Sequence, residues 1–220
     1  MEKYTGQEVE IASGQVKITG TLSVTPASAG VVLFAHGSGS GRFSVRNNFV
    51  ADALHEAGMG TLLIDLLTEE EDRNFETRFD IPLLTQRLAD AGAWLAEQQS
   101  TRLLPVGLFG ASTGAAAALR VAAMPGSRVA VLVSRGGRPD LAGRPALEAV
   151  RAPTLFIVGG EDHDVLILNR DAYLLMHCEK RLEVVPGATH LFPEPGRIED
   201  VAMIASSWFS SHFAALRRHG

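Results

Sequence analysis

The chain has 220 residues, 46% of them hydrophobic and 20% charged, with a net charge of −5; this is the balance of one folded domain, not of a disordered tail. An acidic excess is the wrong sign for a nucleic-acid partner, and no apolar run reaches the ~20 residues a membrane-spanning helix requires. The single cysteine, Cys178, excludes an internal disulfide and a cysteine-based metal cluster.

The N-terminal stretch MEKYTGQEVE is acidic and polar, unlike a secretion signal, so the expected location is cytoplasmic. Residues 8–11 and 16–24 alternate apolar and polar positions around Ser13-Gly14 and predict an opening hairpin. Residues 26–30 read as a turn, and residues 31–35 (VVLFA) as a buried strand. His36-Gly37-Ser38-Gly39-Ser40-Gly41 interrupts it, and residues 48–57 predict a helix stopped by Gly58. Residues 61–64 form a second buried strand closing on Asp65, followed by an acidic loop at residues 69–72. The spacing of Leu84, Leu88, Ala91 and Leu95 predicts an amphipathic helix over residues 81–98.

Residues 106–109 are strand-like, and residues 115–124 are an alanine-rich helix that ends at Pro125-Gly126. Residues 129–133 predict a strand that opens into a loop, SRGGRPD. Residues 154–158 read as a strand and residues 165–176 as a helix, with Cys178 assigned to that helical stretch. A strand at residues 182–185 and an amphipathic helix at residues 199–216 complete the chain. Strands alternating with helices imply a mostly parallel sheet covered on both faces, in a single α/β domain over residues 1–220 with no large lid. Right-handed crossovers gather the loops after the strands at one sheet edge.

Between the strand at residues 106–109 and the helix that follows lies Gly110-Ala111-Ser112-Thr113-Gly114. Strand, Gly-x-Ser-x-Gly, helix is the pattern of a nucleophile elbow, in which a tight turn raises the serine above the sheet. The N-terminus of the following helix offers unpaired N–H groups and partial positive charge to a developing oxyanion. Serine needs a base, and His190 follows the last strand; Asp162, after the strand before it, would orient the imidazole. Glu161 and Asp164 compete with Asp162 for that role, and the tip of the Gly-Gly-Glu-Asp turn favours Asp162. Serine, acid, histidine is the chain order of α/β-hydrolases.

Two N–H groups must meet at the oxyanion: that of Thr113, after the nucleophile, and one from the glycine-rich loop at residues 36–42. Ser38 is the first choice for the second donor and Gly37 the alternative. That loop lacks the lysine of a phosphate loop and the spacing of a dinucleotide fingerprint. Arg135 and Arg138 follow a strand at the same edge and suit a substrate carboxylate; the competing reading, for these and for Arg42, Arg73 and Arg78, is ion pairing with Glu69–Asp72 or Asp140.

HGSGSGR, GASTGAA, SRGGRPDLA, the GGxDxxV turn (Gly159, Gly160, Asp162, Val165) and the late HLF together resemble the dienelactone hydrolase-like branch of the α/β-hydrolases, from about Val16 onward. The resemblance implies an eight-stranded sheet, no cofactor or metal, and a triad of Ser112, Asp162 and His190. Dienelactone hydrolases use a cysteine nucleophile where this chain has Ser112, which shifts the expected substrate from a dienelactone to a small ester, thioester or lactone. The expected partner is that small molecule, with no nucleic acid or membrane, and the oligomeric state is left open. A binding module without catalysis, or an acyltransferase or perhydrolase using the same triad, are the alternatives.

Overall fold

The computed structural model describes residues 4–219. β1 (Gln7–Ser13) and β2 (Val16–Ser23) form the opening hairpin, turning at Gly14 with φ +61°. β2 then pairs antiparallel with β4 (Gly60–Ile64). The remaining strands, β3 (Val31–Ala35), β5 (Val106–Ala111), β6 (Val129–Arg135), β7 (Thr154–Gly159) and β8 (Lys180–Val185), run parallel. The sheet has eight strands in the order β1-β2-β4-β3-β5-β6-β7-β8. Its central strands are apolar almost throughout, as burial on both faces demands.

Helices α1 (Val45–Glu56) and α7 (Arg197–His219) cover one face. α3 (Ile81–Glu97), α4 (Thr113–Ala123), α5 (Arg144–Ala149) and α6 (His163–Leu175) cover the other. Contact between helix and sheet is close at glycines in or just before the strands. A Cβ on Gly107 would lie 2.7 Å from Phe209, and one on Gly30 would lie 2.6 Å from Phe213. Both phenylalanines are fully buried, each stabilising the packing of α7 by about 1.5–3 kcal/mol. No helix among the described residues is long and apolar enough to cross a membrane.

Four local expectations are corrected. α1 begins at Val45 rather than residue 48, because the Ser44 hydroxyl accepts from Asn47 N–H and caps the helix earlier. The acidic stretch at residues 69–72 is a one-turn helix, α2 (Glu69–Asp72), closed by a capping box between Thr68 and Glu71. β6 runs on through Ser134 and Arg135, so Arg135 is a buried strand residue and not part of a loop. Cys178 lies in a bend after α6, not on a helix.

The two edges of the sheet differ. At the carboxyl ends of β3, β5, β6, β7 and β8 stand His36, Ser112, Arg135, Asp162 and His190. At the amino ends of β5 and β6 is a cavity of about 730 Å³, whose lining includes Ala93, Ala96, Leu104, Val121 and Met124, with Arg102 and Arg217 among its polar residues.

Candidate active site

The turn between β5 and α4 is held by its glycines. A Cβ on Gly110 would lie 2.4 Å from Ala115 Cα, and one on Gly114 would lie 2.2 Å from the Ala35 carbonyl and 2.4 Å from that of His36. No side chain fits at either position. Between them Ser112 adopts φ 50°, ψ −121°, one of two non-glycine residues among those described with positive φ. Such a conformation costs about 1–3 kcal/mol and is retained where its surroundings enforce it. Here they do: Ser112 N–H donates to the Arg135 carbonyl at 3.2 Å, and its carbonyl accepts from Ala115 N–H and Arg138 N–H, each at 3.1 Å. The side chain is half-buried at the start of α4, and Thr113 behind it is 2% exposed.

Asp162 and His190 are brought together by backbone stitching. Gly160 N–H donates to the Val185 carbonyl at 2.9 Å, and Glu161 N–H to that of Ala188 at 3.0 Å. Gly159 permits this approach, since a Cβ there would meet the Ala188 carbonyl at 2.3 Å. Asp162 Oδ2 then lies 2.7 Å from His190 Nδ1, with the aspartate side chain 14% exposed and the histidine 35%. Of the three competing acids, Asp162 is the one that reaches His190; Glu161 lies beside His163. The carboxylate fixes the proton on Nδ1 and leaves Nε2 free to act as a base. Thr189 donates to Glu194 through both its N–H and its hydroxyl, tying down the histidine segment. That hydroxyl bond is the main reason the Glu194 carboxyl titrates below the ordinary glutamate value.

His190 and Ser112 border successive residues of one segment. Ser112 N–H is bonded to the Arg135 carbonyl, and a Cβ on Gly136 would lie 3.5 Å from the His190 ring. Among the described residues, no hydrogen bond closes from Ser112 Oγ to His190. In enzymes without substrate such links are often long and tighten in the complex.

Across the turn is the loop after β3. A Cβ on Gly37 would lie 3.0 Å from Ser112 Cβ and 3.7 Å from its Oγ, so this backbone passes directly beside the serine. His36, a residue with no role in the sequence reading beyond opening the glycine loop, sets its orientation. The buried imidazole accepts Leu66 N–H at Nε2 (2.9 Å), so the proton is on Nδ1, which donates to the Gly37 carbonyl at 2.8 Å. Burial holds its pKa below the ordinary histidine value, keeping the ring neutral. In a planar trans peptide the next N–H opposes the carbonyl. Pinning Gly37 C=O therefore turns Ser38 N–H the other way.

The two arginines singled out in the sequence are placed differently. Arg138 forks onto Asp140 with bonds of 2.9 and 2.7 Å. Arg135 is 4% exposed and extends toward α1, where it donates to Asn47 Oδ1 at 3.3 Å with its guanidinium 5.8 Å from the Phe192 ring. Arg42 and Arg78 pair with Asp65 and Asp72.

No family model matches the chain. Among solved structures, a dienelactone hydrolase from Anabaena variabilis is 49% identical and superposes with a TM-score of 0.93, covering 96% of this chain and 99% of that one. Est1E from Butyrivibrio proteoclasticus shares the fold at 14% identity, with a TM-score of 0.81 over 96% of this chain and all of its own. Two Mycobacterium tuberculosis proteins provisionally named phosphoribosyl transferases are 55% identical over 206 residues, which are 94% of this chain. The chain spans only 46% of their length. Near-complete coverage of the Anabaena protein at this identity, on an eight-stranded, mostly parallel sheet, means that the chain belongs to the dienelactone hydrolase-like family of the α/β-hydrolases.

Proposed function

We propose that the chain is a serine hydrolase that cleaves a small ester, thioester or lactone through an acyl-enzyme. Ser112 Oγ attacks the carbonyl carbon, and His190 Nε2 takes its proton and returns it to the leaving group. Asp162 holds Nδ1–H and stabilises the imidazolium. Thr113 N–H and Ser38 N–H receive the oxyanion, where each such donor contributes about 2.7–4 kcal/mol. Water then repeats the sequence to release the acid, and neither cofactor nor metal enters.

The observation that carries this reading is the strained backbone of Ser112, φ 50°. A serine with only a turn to make has no need of that conformation; a nucleophile that must stand clear of the sheet does. The half-open relay, with the histidine more exposed than the aspartate, suits small acyl groups.

The absent bond from Ser112 to His190 favours a second reading, a binding module on the same fold. A fluorophosphonate probe separates the two. Covalent mass on Ser112, with Ser112→Ala losing p-nitrophenyl acetate turnover by about 10⁴-fold or more at unchanged fold, is the expected result; an unlabelled protein would leave the binding module. The transferase name of the mycobacterial relatives belongs to proteins about twice as long, and the constellation around Ser112 suits acyl rather than ribosyl chemistry.

A further inference from the structure

Two inward-reaching arginines of this chain find carboxylates: Arg42 finds Asp65, and Arg87 finds Glu71. Arg135 does not. Its side chain is almost fully buried, and no carboxylate lies within salt-bridge distance of it among the described residues. Its one side-chain hydrogen bond goes to the neutral Asn47 amide. Its Nε is buried without an acceptor, as are those of Arg42 and Arg87, but those two have a carboxylate on the rest of the fork and Arg135 has none. Arg46, beside Asn47, repeats the pattern, with Nε buried and unpartnered and, among the described residues, no carboxylate pairing. Burial, and after it the charge of Arg46, push Arg135 down to about 10.

These groups meet in the first turn of α1, which contains no acidic residue. The backbone N–H groups of Val45 and Arg46 find no acceptor within the described residues. Two guanidinium ions at the positive end of a twelve-residue helix repel one another, and the buried one has lost its water. A small anion resolves both costs at once: it supplies bidentate acceptors for the forks and accepts from the helix N–H groups. A cation has the wrong sign, and a large ligand could not reach a side chain this deeply covered.

We propose that Arg135, Arg46, Asn47 and the first turn of α1 bind a small oxyanion, a carboxylate or phosphate group, beneath the segment that carries His190. The location gives the site a bearing on turnover. The Arg135 carbonyl accepts Ser112 N–H, while its guanidinium lies against Phe192, two residues beyond His190. The oxyanion is either a group on the substrate or a free ion, and the experiment distinguishes them. Only that distinction rests on the hydrolase reading; binding itself does not.

Thermal unfolding in inorganic phosphate or acetate, against sodium chloride of equal ionic strength, measures binding whether or not Ser112 is a nucleophile. Both anions raise the wild-type melting temperature through ligand linkage. Arg46→Gln, at a half-buried position, needs about tenfold more phosphate for the same shift. Arg135→Met abolishes the shift and melts no lower than wild type in chloride, because it removes an uncompensated buried cation. Equal shifts in wild type and Arg46→Gln, or no shift in either anion, would overturn the proposal. The ratio of KM for p-nitrophenyl hemisuccinate to that for p-nitrophenyl acetate then finds the source. A roughly tenfold rise of this ratio in Arg46→Gln means a substrate-borne anion. A constant ratio, with phosphate changing kcat on the acetate ester in wild type, means a free ion.

Discussion

The two edges of this sheet are built from the same strands and differ in what they tolerate. The amino edge encloses the cavity of about 730 Å³ and lacks histidine, carboxylate or strained serine among its lining residues. The carboxyl edge has little enclosed space around its serine, but backbone approaches there are so close that a single methyl group would collide. Room and chemistry are therefore separate properties in this molecule. Catalytic constellations require fixed distances, and fixed distances leave tight contacts rather than volume.

The contrast can be broken by substitution. The largest effect is expected at Asp162→Asn, which keeps the shape but lets His190 take the wrong tautomer; kcat for p-nitrophenyl acetate should fall by about 10⁴-fold with the denaturation midpoint little changed. A loss below tenfold would remove Asp162 from the relay. Next is Gly114→Ala, whose methyl would enter two carbonyl contacts of 2.2 and 2.4 Å. Urea unfolding should show a destabilisation of about 3 kcal/mol.

A smaller effect tests His36. Its folded-state pKa is depressed by burial, so an unfolded chain, titrating near about 6.5, takes up this proton first. Stability contributed by the neutral ring is complete above that value and is lost as pH falls through the folded pKa. Between pH 7 and 5, wild type should lose up to about 1.4 kcal/mol per pH unit relative to His36→Gln, by urea unfolding at each pH. The smallest change has the opposite sign. Gly92 lines the amino-edge cavity within α3, and a Cβ there meets nothing within 4 Å. Gly92→Ala should stabilise the protein by about 0.5–1 kcal/mol, from helix propensity alone.

The readable parts of the sequence were those whose signals are local. Gly110 and Gly114 announce the elbow because the turn itself requires them, and the pair Gly159-Gly160 marks where the Asp162 segment must pass under the residues before His190. What stayed hidden depends on distant partners. His36 acts by accepting Leu66 N–H, thirty residues away, which no spacing rule announces. Arg135 resembles a loop residue because polar side chains seldom end a buried strand; its burial is set by α1 and the Phe192 segment. The early start of α1 is not legible because Phe43 and Val45, exposed at 75% and 84%, give no amphipathic pattern to follow.

Asp162 and His190 hang from β7 and β8, sewn to each other by the stitches at Gly160 and Glu161, whereas Ser112 rides on β5 and is tied to β6. In the proposed relay, acid and base are thus held by one strand pair and the serine by another, with the short register from Leu132↔Thr154 to Arg135↔Ile157 as the seam between them. The distance between the Ser112 hydroxyl and the His190 ring is therefore set across that seam, whereas the distance from Asp162 to His190 is not.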